Sequence, residues 1–469
     1  AKILAIFCVV SVVIFEIMLI KLNILPAKYM LIALLVFTPL GVLTFLGLFF
    51  NKIKTKPKIA AAAVGVILII VSFTGILYIT GTMNFLDKIS SLGETFSYEE
   101  FYVIAKADSK AEQIEDLDDT EIGILSIANE NYSKARNELK DVIECEYKSV
   151  DTLDKLGSEL LEGTKESIFL SETNYSVLDE GTEGYKEDTK IIYTIKIKTV
   201  QEDSARRVNV TEEPFNIYVS GIDTYGKIGN VSRSDVNMIV TVNPKTNQIL
   251  LTSIPRDCVV TLPSFGEKDK LTHAGVYGTN ESIGAIENLL DIKINYYLKV
   301  NFSSVENLVD AINGIEVDSD YTFTAGPGGY RFVKGMNSLT GKQALSFSRE
   351  RHSFTSGDFQ RVKNQQKVIE AIITKITSSS TLLLNYNSIL NSVKDSMDTN
   401  FSPAEIKSLV KMQVDDMPSW AFDKNSIDQG SDASLTGYSY PYQELYMLIP
   451  DNDAVVEAAD KINAVMSEE

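Results

Sequence analysis

The chain has 469 residues, 44 basic and 63 acidic side chains, a formal net charge of −19 and 45% hydrophobic content, a length that suggests two or three folded units. The charge is uneven: residues 1–93 carry eight lysines against Glu16 and Asp87, a net of +6, which leaves −25 on the rest. So acidic a body excludes a general nucleic-acid binder, whose binding starts by neutralising phosphates, but leaves room for a local basic pocket.

Three apolar runs open the chain. Ile3–Ile20, Met30–Phe50 and Ile59–Thr80 contain 18, 21 and 22 residues, interrupted only by Glu16. Each is long enough to cross a hydrocarbon core about 30 Å thick as a helix. They follow one another with no small-residue cleavage site, so a cleaved signal peptide is not expected. The loop Asn51–Lys58 packs four lysines into eight residues. The positive-inside rule puts that loop in the cytoplasm, so the third span exits and everything after residue 81 lies outside. Glu16 is expected near enough to the end of its span to reach the interface.

Residues 81–93 read as a juxtamembrane linker. Residues 97–212 read as a small α/β unit without a catalytic constellation, a spacer or docking domain. Within it Tyr102–Ala105 is strand-like, and Ser133–Val142 is helical with Ser133 as candidate N-cap. Lys190–Val200 alternates apolar and polar residues as a half-buried strand does.

A second unit, 214–469, begins near Pro214. Phe215–Ser220, Met238–Val242 and Ile249–Ser253 are strand candidates, and the turn residues Asn243–Asn247 join the last two into a hairpin. Ser282–Leu290 and Ser303–Ile312 read as helices with Ser282 and Ser303 as caps. Tyr296–Val300 and Gly314–Val317 read as strands, Gly341–Arg349 as a short helix or strand, and Asp358–Ile376 as a long helix. Helical segments near Leu382–Met397 and Ser402–Met412 should pack on the same unit. The alternation predicts an α/β fold: an α/β/α sandwich with a mixed central sheet, behind N-terminal transmembrane helices and the small α/β accessory domain.

The chemistry lies in three clusters at the ends of apolar runs. They are Gly221-Ile222-Asp223 with Arg233-Ser234-Asp235, then Ser253-Ile254-Pro255-Arg256-Asp257, then Ser348-Arg349-Glu350-Arg351. Arg233 and Asp235 are two apart, so in an extended segment they point to one side. Asp223 would sit at the C-terminal end of its strand, where α/β sheets usually place ligands. Arginine's planar fork suits phosphate oxygens and stays charged. Mg²⁺ takes one or two carboxylates, with phosphate and water completing its shell. Each cluster alone reads better as a surface ion pair; three in one unit favour a phosphate site. With two histidines, His273 and His352, a histidine-rich metal centre is excluded, and both are expected to act as hydrogen-bonding groups. Cys145 and Cys258 could pair, though nothing in their spacing requires it.

Phe215 to about Ile376 resembles the LytR-CpsA-Psr family of Gram-positive bacteria. The matching residues are the three clusters together with Lys270-Leu271-Thr272-His273-Ala274, Asn313-Gly314-Ile315-Glu316-Val317, Leu339-Thr340-Gly341, and Gly357-Asp358-Phe359 through Arg361 to Gln365-Gln366. The three spans and the extra outer domain resemble most the capsular polysaccharide branch. The resemblance implies an α/β/α domain with a hydrophobic tunnel for a lipid, on the outer face of a multi-pass membrane protein. It implies a phosphotransferase that moves a polyprenyl-pyrophosphate-linked polysaccharide to peptidoglycan, with the lipid bilayer and other capsule assembly proteins as further partners. Asp223 and Asp235 would hold Mg²⁺, with Mn²⁺ as an alternative. Arg233, Arg256, Arg349, Arg351 and Gln365 would hold the pyrophosphate. Asp223 or Asp235 would accept the proton, and Arg256 would be essential. Where the family often has Arg this chain has Asn364, so one cationic contact is expected to be lost or moved to Lys363. Glu350 would orient its two arginines.

Three other readings fit part of the sequence. A polyprenyl pyrophosphate phosphatase or pyrophosphatase would use the same site with water as acceptor. A membrane-bound transcriptional regulator would need a cytoplasmic helix-turn-helix, for which the lysine loop is too short. A non-catalytic lipid or polysaccharide binding module conflicts with carboxylates that would repel pyrophosphate unless a metal sits between.

Overall fold

A computed structural model describes residues 1–50, 55–93, 96–126, 130–182, 184–200, 204–223, 233–378, 388–389, 391–393, 396–440 and 444–467. Lys2–Leu22 (α1), Ala27–Phe49 (α2) and Thr55–Gly93 (α3) are helices. All three are long and apolar enough to cross a membrane, α3 over Thr55–Asn84. Small residues let them pack closely; a Cβ on Gly75 would meet the Phe15 ring at 2.4 Å. Residues 81–93, read above as a linker, continue α3, since no proline interrupts its hydrogen-bond ladder. Glu16 lies less than two turns from the end of α1 and accepts a hydrogen bond from Thr38 Oγ1 of α2 at 2.7 Å.

The next unit contains Phe96–Lys106 (β1), Thr120–Leu125 (β2), Glu130–Lys140 (α4), Cys145–Val150 (β3), Leu153–Leu161 (α5), Ser167–Ser171 (β4), Glu172–Gly181 (α6) and Thr189–Val200 (β5). They form a sheet in the order β3-β2-β4-β1-β5, with β2, β3 and β4 parallel and β1 antiparallel to both its neighbours. Alternation along β1 sends Phe101 and Val103 into one core and Tyr102 and Ile104 into another. Ser133 lies inside α4 rather than at its cap.

The second sheet begins with Phe215–Ile222 (β6), Val236–Asn243 (β7) and Gln248–Ile254 (β8). A hairpin, Val259–Thr261 (β9) with Lys268–Lys270 (β10), leads into Leu271–Ala274 (α7) and Thr279–Leu290 (α8). Tyr296–Asn301 (β11) and Phe302–Ala311 (α9) follow, then Ile315–Ser319 (β12), the short strands Phe323–Thr324 (β13) and Arg331–Phe332 (β14), and Gly335–Leu339 (β15). Gly341–Arg349 (α10) and Asp358–Thr377 (α11) complete the central part. The chain ends with Met397–Thr399 (β16), Pro403–Asp416 (α12), Ala421–Ser426 (β17), Gly430–Leu435 (β18), Leu445–Pro450 (β19) and Asn452–Ser467 (α13). Most of the helix expected over Leu382–Met397 lies outside the described residues.

The order β16-β11-β6-β7-β8-β17 mixes parallel and antiparallel neighbours. Tyr218, Ile239 and Leu250 face α8 and α13 on one side. Phe215, Val219 and Leu251 face α11 and α12 on the other. This is the mixed α/β/α sandwich expected from the alternation. Both sheet edges, β16 and β17, come from the C-terminal part, so that part completes the sheet. The helix caps differ from expectation. Gly278 precedes α8, with Ser282 inside the helix, while Asn301 rather than Ser303 caps α9, its Oδ1 accepting from Ser304 N at 3.0 Å. Cys145 and Cys258 are free.

The units touch one another. Leu19, Leu22 and Ile79 of the membrane helices pack against Val393 and Val414, and Lys28 pairs with Asp415 at 2.8 Å. Val177 of α6 packs on Val276 and Tyr440.

Candidate active site

Four local events bring the clusters to one end of the second sheet. β6 and β7 run side by side, with Gly221 opposite Val236. A Cβ on Gly221 would come 2.7 Å from Val236 Cβ, so glycine lets the strands close up. Asp235 N–H donates to Gly221 O at 2.8 Å, which sets Asp235 at the start of β7 beside Asp223 at the end of β6. Pro255 ends β8 and delivers Arg256 to the same edge. α10 ends at Arg349, followed by Glu350 and Arg351. α11 presents Arg361 and Gln365, one turn apart on one face.

These side chains line a cavity of about 350 Å³ with two chemically distinct parts. One holds Asp223, Asp235, Arg256, Arg349, Arg351, Arg361 and Gln365. The other is apolar, walled by Val219, Val300, Phe302, Val305, Leu345, Val368, Ile369 and Ile372. Val368, Ile369 and Ile372 follow Gln365 along α11, so one helix supplies both parts.

Ion pairs hold the polar part. Arg256 NH1 donates to Asp235 Oδ1 at 2.7 Å, and its Nε lies 3.6 Å from Asp257 Oδ2. Lys270 Nζ holds Asp257 from the other side at 3.0 Å. Arg349 lies 3.6 Å from Asp223 Oδ1, and its guanidinium covers the Phe302 ring at 4.0 Å. Arg361 pairs with Asp358 at 2.6 Å. Glu350 is 1% exposed and does not face these cations as a ligand. Its Oε2 accepts from Gly326 N–H at 2.5 Å and its Oε1 from Ser353 N–H at 2.8 Å. The loop between Arg349 and Arg351 is thereby tied to the neighbouring chain segment. Burial alone would raise the Glu350 pKa, but these backbone donors outweigh it and hold it below the usual value.

The site is short of negative charge. Burial works against the Arg256 charge, yet Asp235, then Asp257 and Asp358, more than compensate and push its pKa up. Arg361 has the opposite balance: burial comes first, Asp358 opposes it, and the fields of Arg256 and Arg351 help to push its pKa down. Those arginines therefore repel one another. Arg256 Nε and Arg361 Nε are both buried without a hydrogen-bond acceptor. A multiply charged anion with several oxygens would answer both conditions. Among the described residues no group of three His, Cys, Asp or Glu side chains forms a metal cage. Asp223 and Asp235 both line the cavity, and two carboxylates are the number that Mg²⁺ takes beside phosphate and water.

Six of the sequence candidates, Asp223, Asp235, Arg256, Arg349, Arg351 and Gln365, thus line one cavity. Two do not. Arg233 is exposed, precedes the start of β7 at Val236, and does not line the cavity, although Asp235 two residues on does. Lys363 lies on the opposite face of α11, beside Asp320 and Lys367, as a residue about 200° round the helix from Arg361 must. Arg361, quoted above only as part of a motif, is the cation that α11 supplies. Its spacing of four from Gln365 could have signalled this. His352 lines the cavity and accepts from Arg351 Nε at 3.2 Å. His273 is buried elsewhere, its Nδ1 2.6 Å from Asp269.

Residues 175–445 match the LytR_cpsA_psr family. The chain is 38% identical over 247 residues to the polyisoprenyl-teichoic acid–peptidoglycan teichoic acid transferase TagU of Enterococcus faecalis, across 52% of this chain and 79% of that protein. It is 37% identical to the protein of the same name from Bacillus mycoides, across 42% of this chain and 64% of the relative. Among solved structures, B. subtilis TagV is 28% identical with a TM-score of 0.46, covering 55% of this chain and 99% of that one. The membrane helices and most of the first sheet lie outside the family match.

Proposed function

The chain belongs to the LytR-CpsA-Psr family, and from that premise we propose that it is a phosphotransferase that attaches a polyprenyl-pyrophosphate-linked glycopolymer to peptidoglycan. The observation that carries this is the cavity, in which buried, acceptor-poor arginines meet a long apolar wall. A pyrophosphate with a hydrocarbon tail has that polarity. The names of the relatives, polyisoprenyl-teichoic acid–peptidoglycan teichoic acid transferases, support the reaction class. A capsular polysaccharide as the polymer is our own assignment, motivated by the three spans and the additional outer unit.

In this reading the apolar wall takes the polyprenyl chain. Arg256, Arg349, Arg351, Arg361 and Gln365 hold the pyrophosphate oxygens and stabilise charge as the acceptor hydroxyl oxygen bonds to the glycan-linked phosphorus and the bond from that phosphorus to the bridging oxygen breaks. The Phe302 ring fixes Arg349, and Glu350 fixes the loop that carries Arg351. Mg²⁺, bound at Asp223 and Asp235, would supply further neutralisation of phosphate charge. Asp235 is hydrogen-bonded to Arg256 at 2.7 Å, whereas Arg349 stands 3.6 Å from Asp223, so Asp223 is the less tightly held carboxylate and the better placed to accept the proton of the incoming hydroxyl. Polyprenyl phosphate leaves. The positive loop near Lys56 and Lys58 supports an outward-facing body.

Incubating the full-length protein with a lipid-linked glycan, with and without peptidoglycan fragments, tests this. A transferase consumes the donor and labels the fragments. Equal donor consumption in both arms, with free glycan phosphate and polyprenyl phosphate formed and the fragments unlabelled, would show a pyrophosphatase instead.

A further inference from the structure

The hairpin β9–β10 carries an aromatic group that the reaction above does not use. Phe265 at its tip and Tyr438 beside it stack with centroids 4.4 Å apart and planes at 23°. Tyr277 forms the floor, 5.0 Å from Phe265 and 5.9 Å from Tyr438, with its hydroxyl 2.9 Å from Ser439 Oγ. Phe265 and Tyr438 remain 38% and 39% exposed. Covering exposed stacked rings of this kind with a partner removes apolar surface from water and is favourable.

The tip is held rigidly. Ser264 donates from N–H and Oγ to Glu281 of α8 at 3.0 and 2.6 Å. Gly266, at φ +71°, closes the turn behind Phe265, a conformation that favours glycine. Tyr438 N–H donates to Lys268 O at 3.0 Å, which fixes the second ring to β10. The platform is therefore pre-organised rather than a loop caught in one position.

Its position favours one occupant. Lys270 of β10 pairs with Asp257, which lies against Arg256, and Tyr438 is bonded to Lys268 two strand residues further on, about 7 Å at about 3.3 Å per residue, so β10 links the rings to the pyrophosphate cage. Tyr446, 52% exposed, stands near the cage: Leu448 N–H, two residues on, donates to Asp257 O at 2.9 Å, and the charges of Asp257 and Asp358 act on the Tyr446 hydroxyl. A bilayer is the poorer partner. The membrane helix α3 packs against β16, and β8, from which the hairpin grows, lies four strands away, about 19 Å across the sheet. The acidic body, and Glu267 beside Tyr438, disfavour a polyanion. Flat rings flanked by a carboxylate suit the C–H faces and hydroxyl groups of a neutral sugar chain.

We propose that Phe265 and Tyr438 form a stacking platform for the neutral glycan of the lipid-linked donor, which leaves the cage past Tyr446 and crosses the hairpin. The proposal rests on the transferase reading. The full-length protein is given two polyprenyl pyrophosphate donors, one bearing a single N-acetylhexosamine and one a neutral tetrasaccharide. Phe265→Ala and Tyr438→Ala should each raise KM for the tetrasaccharide donor about tenfold, leaving the single-sugar donor and the acceptor KM unchanged. The unchanged donor also reports that the variants fold. An unchanged tetrasaccharide KM, or a raised acceptor KM in its place, overturns the platform while leaving the transferase intact. If the wild type transfers neither donor, the transferase reading falls, and soluble chitotetraose titrated by calorimetry decides the platform. Binding that Phe265→Ala weakens about tenfold supports it; no binding, or equal binding, overturns it.

Discussion

Arg361 and Lys363 are two residues apart on one helix, yet only Arg361 reaches the cavity. Arg361→Ala should lower transfer about 100-fold with the fold intact, the scale set by losing a charge-assisted contact to the reacting group. Lys363→Ala should stay within about twofold, and comparing the two initial rates checks the assignment. Glu350 sets a pH limit. Its pKa in the folded protein lies below its ordinary value of 4.5, because Ser353 and Gly326 donate to its carboxylate. A depressed acid contributes stability that is fully present above that ordinary value and is lost as pH falls through the folded one. Thermal unfolding between pH 7 and 3 should therefore show a Tm decline below about pH 4.5 that is shallower in Glu350→Gln. The Gln variant should also be less stable at pH 7, since its amide cannot accept from both backbone donors.

The helices that wall the cavity depend on one backbone approach. Gly341 opens α10 against the end of α9, and its N–H donates to Asp310 Oδ1 at 2.7 Å. A Cβ there would lie 2.2 Å from Glu306 O, a backbone atom that cannot swing aside. Gly341→Ala should destabilise by about 1–3 kcal/mol through overpacking, read by denaturant unfolding, with transfer reduced as α10 shifts Arg349. The sequence marked this element, since Leu339-Thr340-Gly341 could be quoted as a motif. It did not say why glycine stands there, because the obstructing carbonyl is 35 residues earlier in the chain. The same holds for the sheet. β6, β7 and β8 were legible from local apolar runs and one turn. β16 and β17 were not, because their exposed or mixed side chains carry little alternation and they gain strand geometry only by pairing with β11 and β8.

At the scale of the molecule, the membrane helices, the first sheet and the α/β/α unit meet through specific contacts rather than loose linkers. α3 runs unbroken to Gly93, and Lys28 pairs with Asp415. Their orientation predicts a labelling pattern. In a Cys145→Ser background, Ser434→Cys on exposed β18 should react with a membrane-impermeant maleimide on intact cells, and Lys56→Cys only after permeabilisation. The reverse pattern would put the body inside and exclude a peptidoglycan acceptor. The sequence by itself determined the three long apolar helices, the mixed α/β class and six of the cavity's polar side chains, because apolar period and turn chemistry are local properties. Only the tertiary structure decided that Arg361 rather than Lys363 faces the cavity and that Arg233 does not line it. It also decided that Phe265 and Tyr438, 173 residues apart, stack on one another. Helix facing and long-range contact follow from how the elements pack on one another, and no local pattern carries that information.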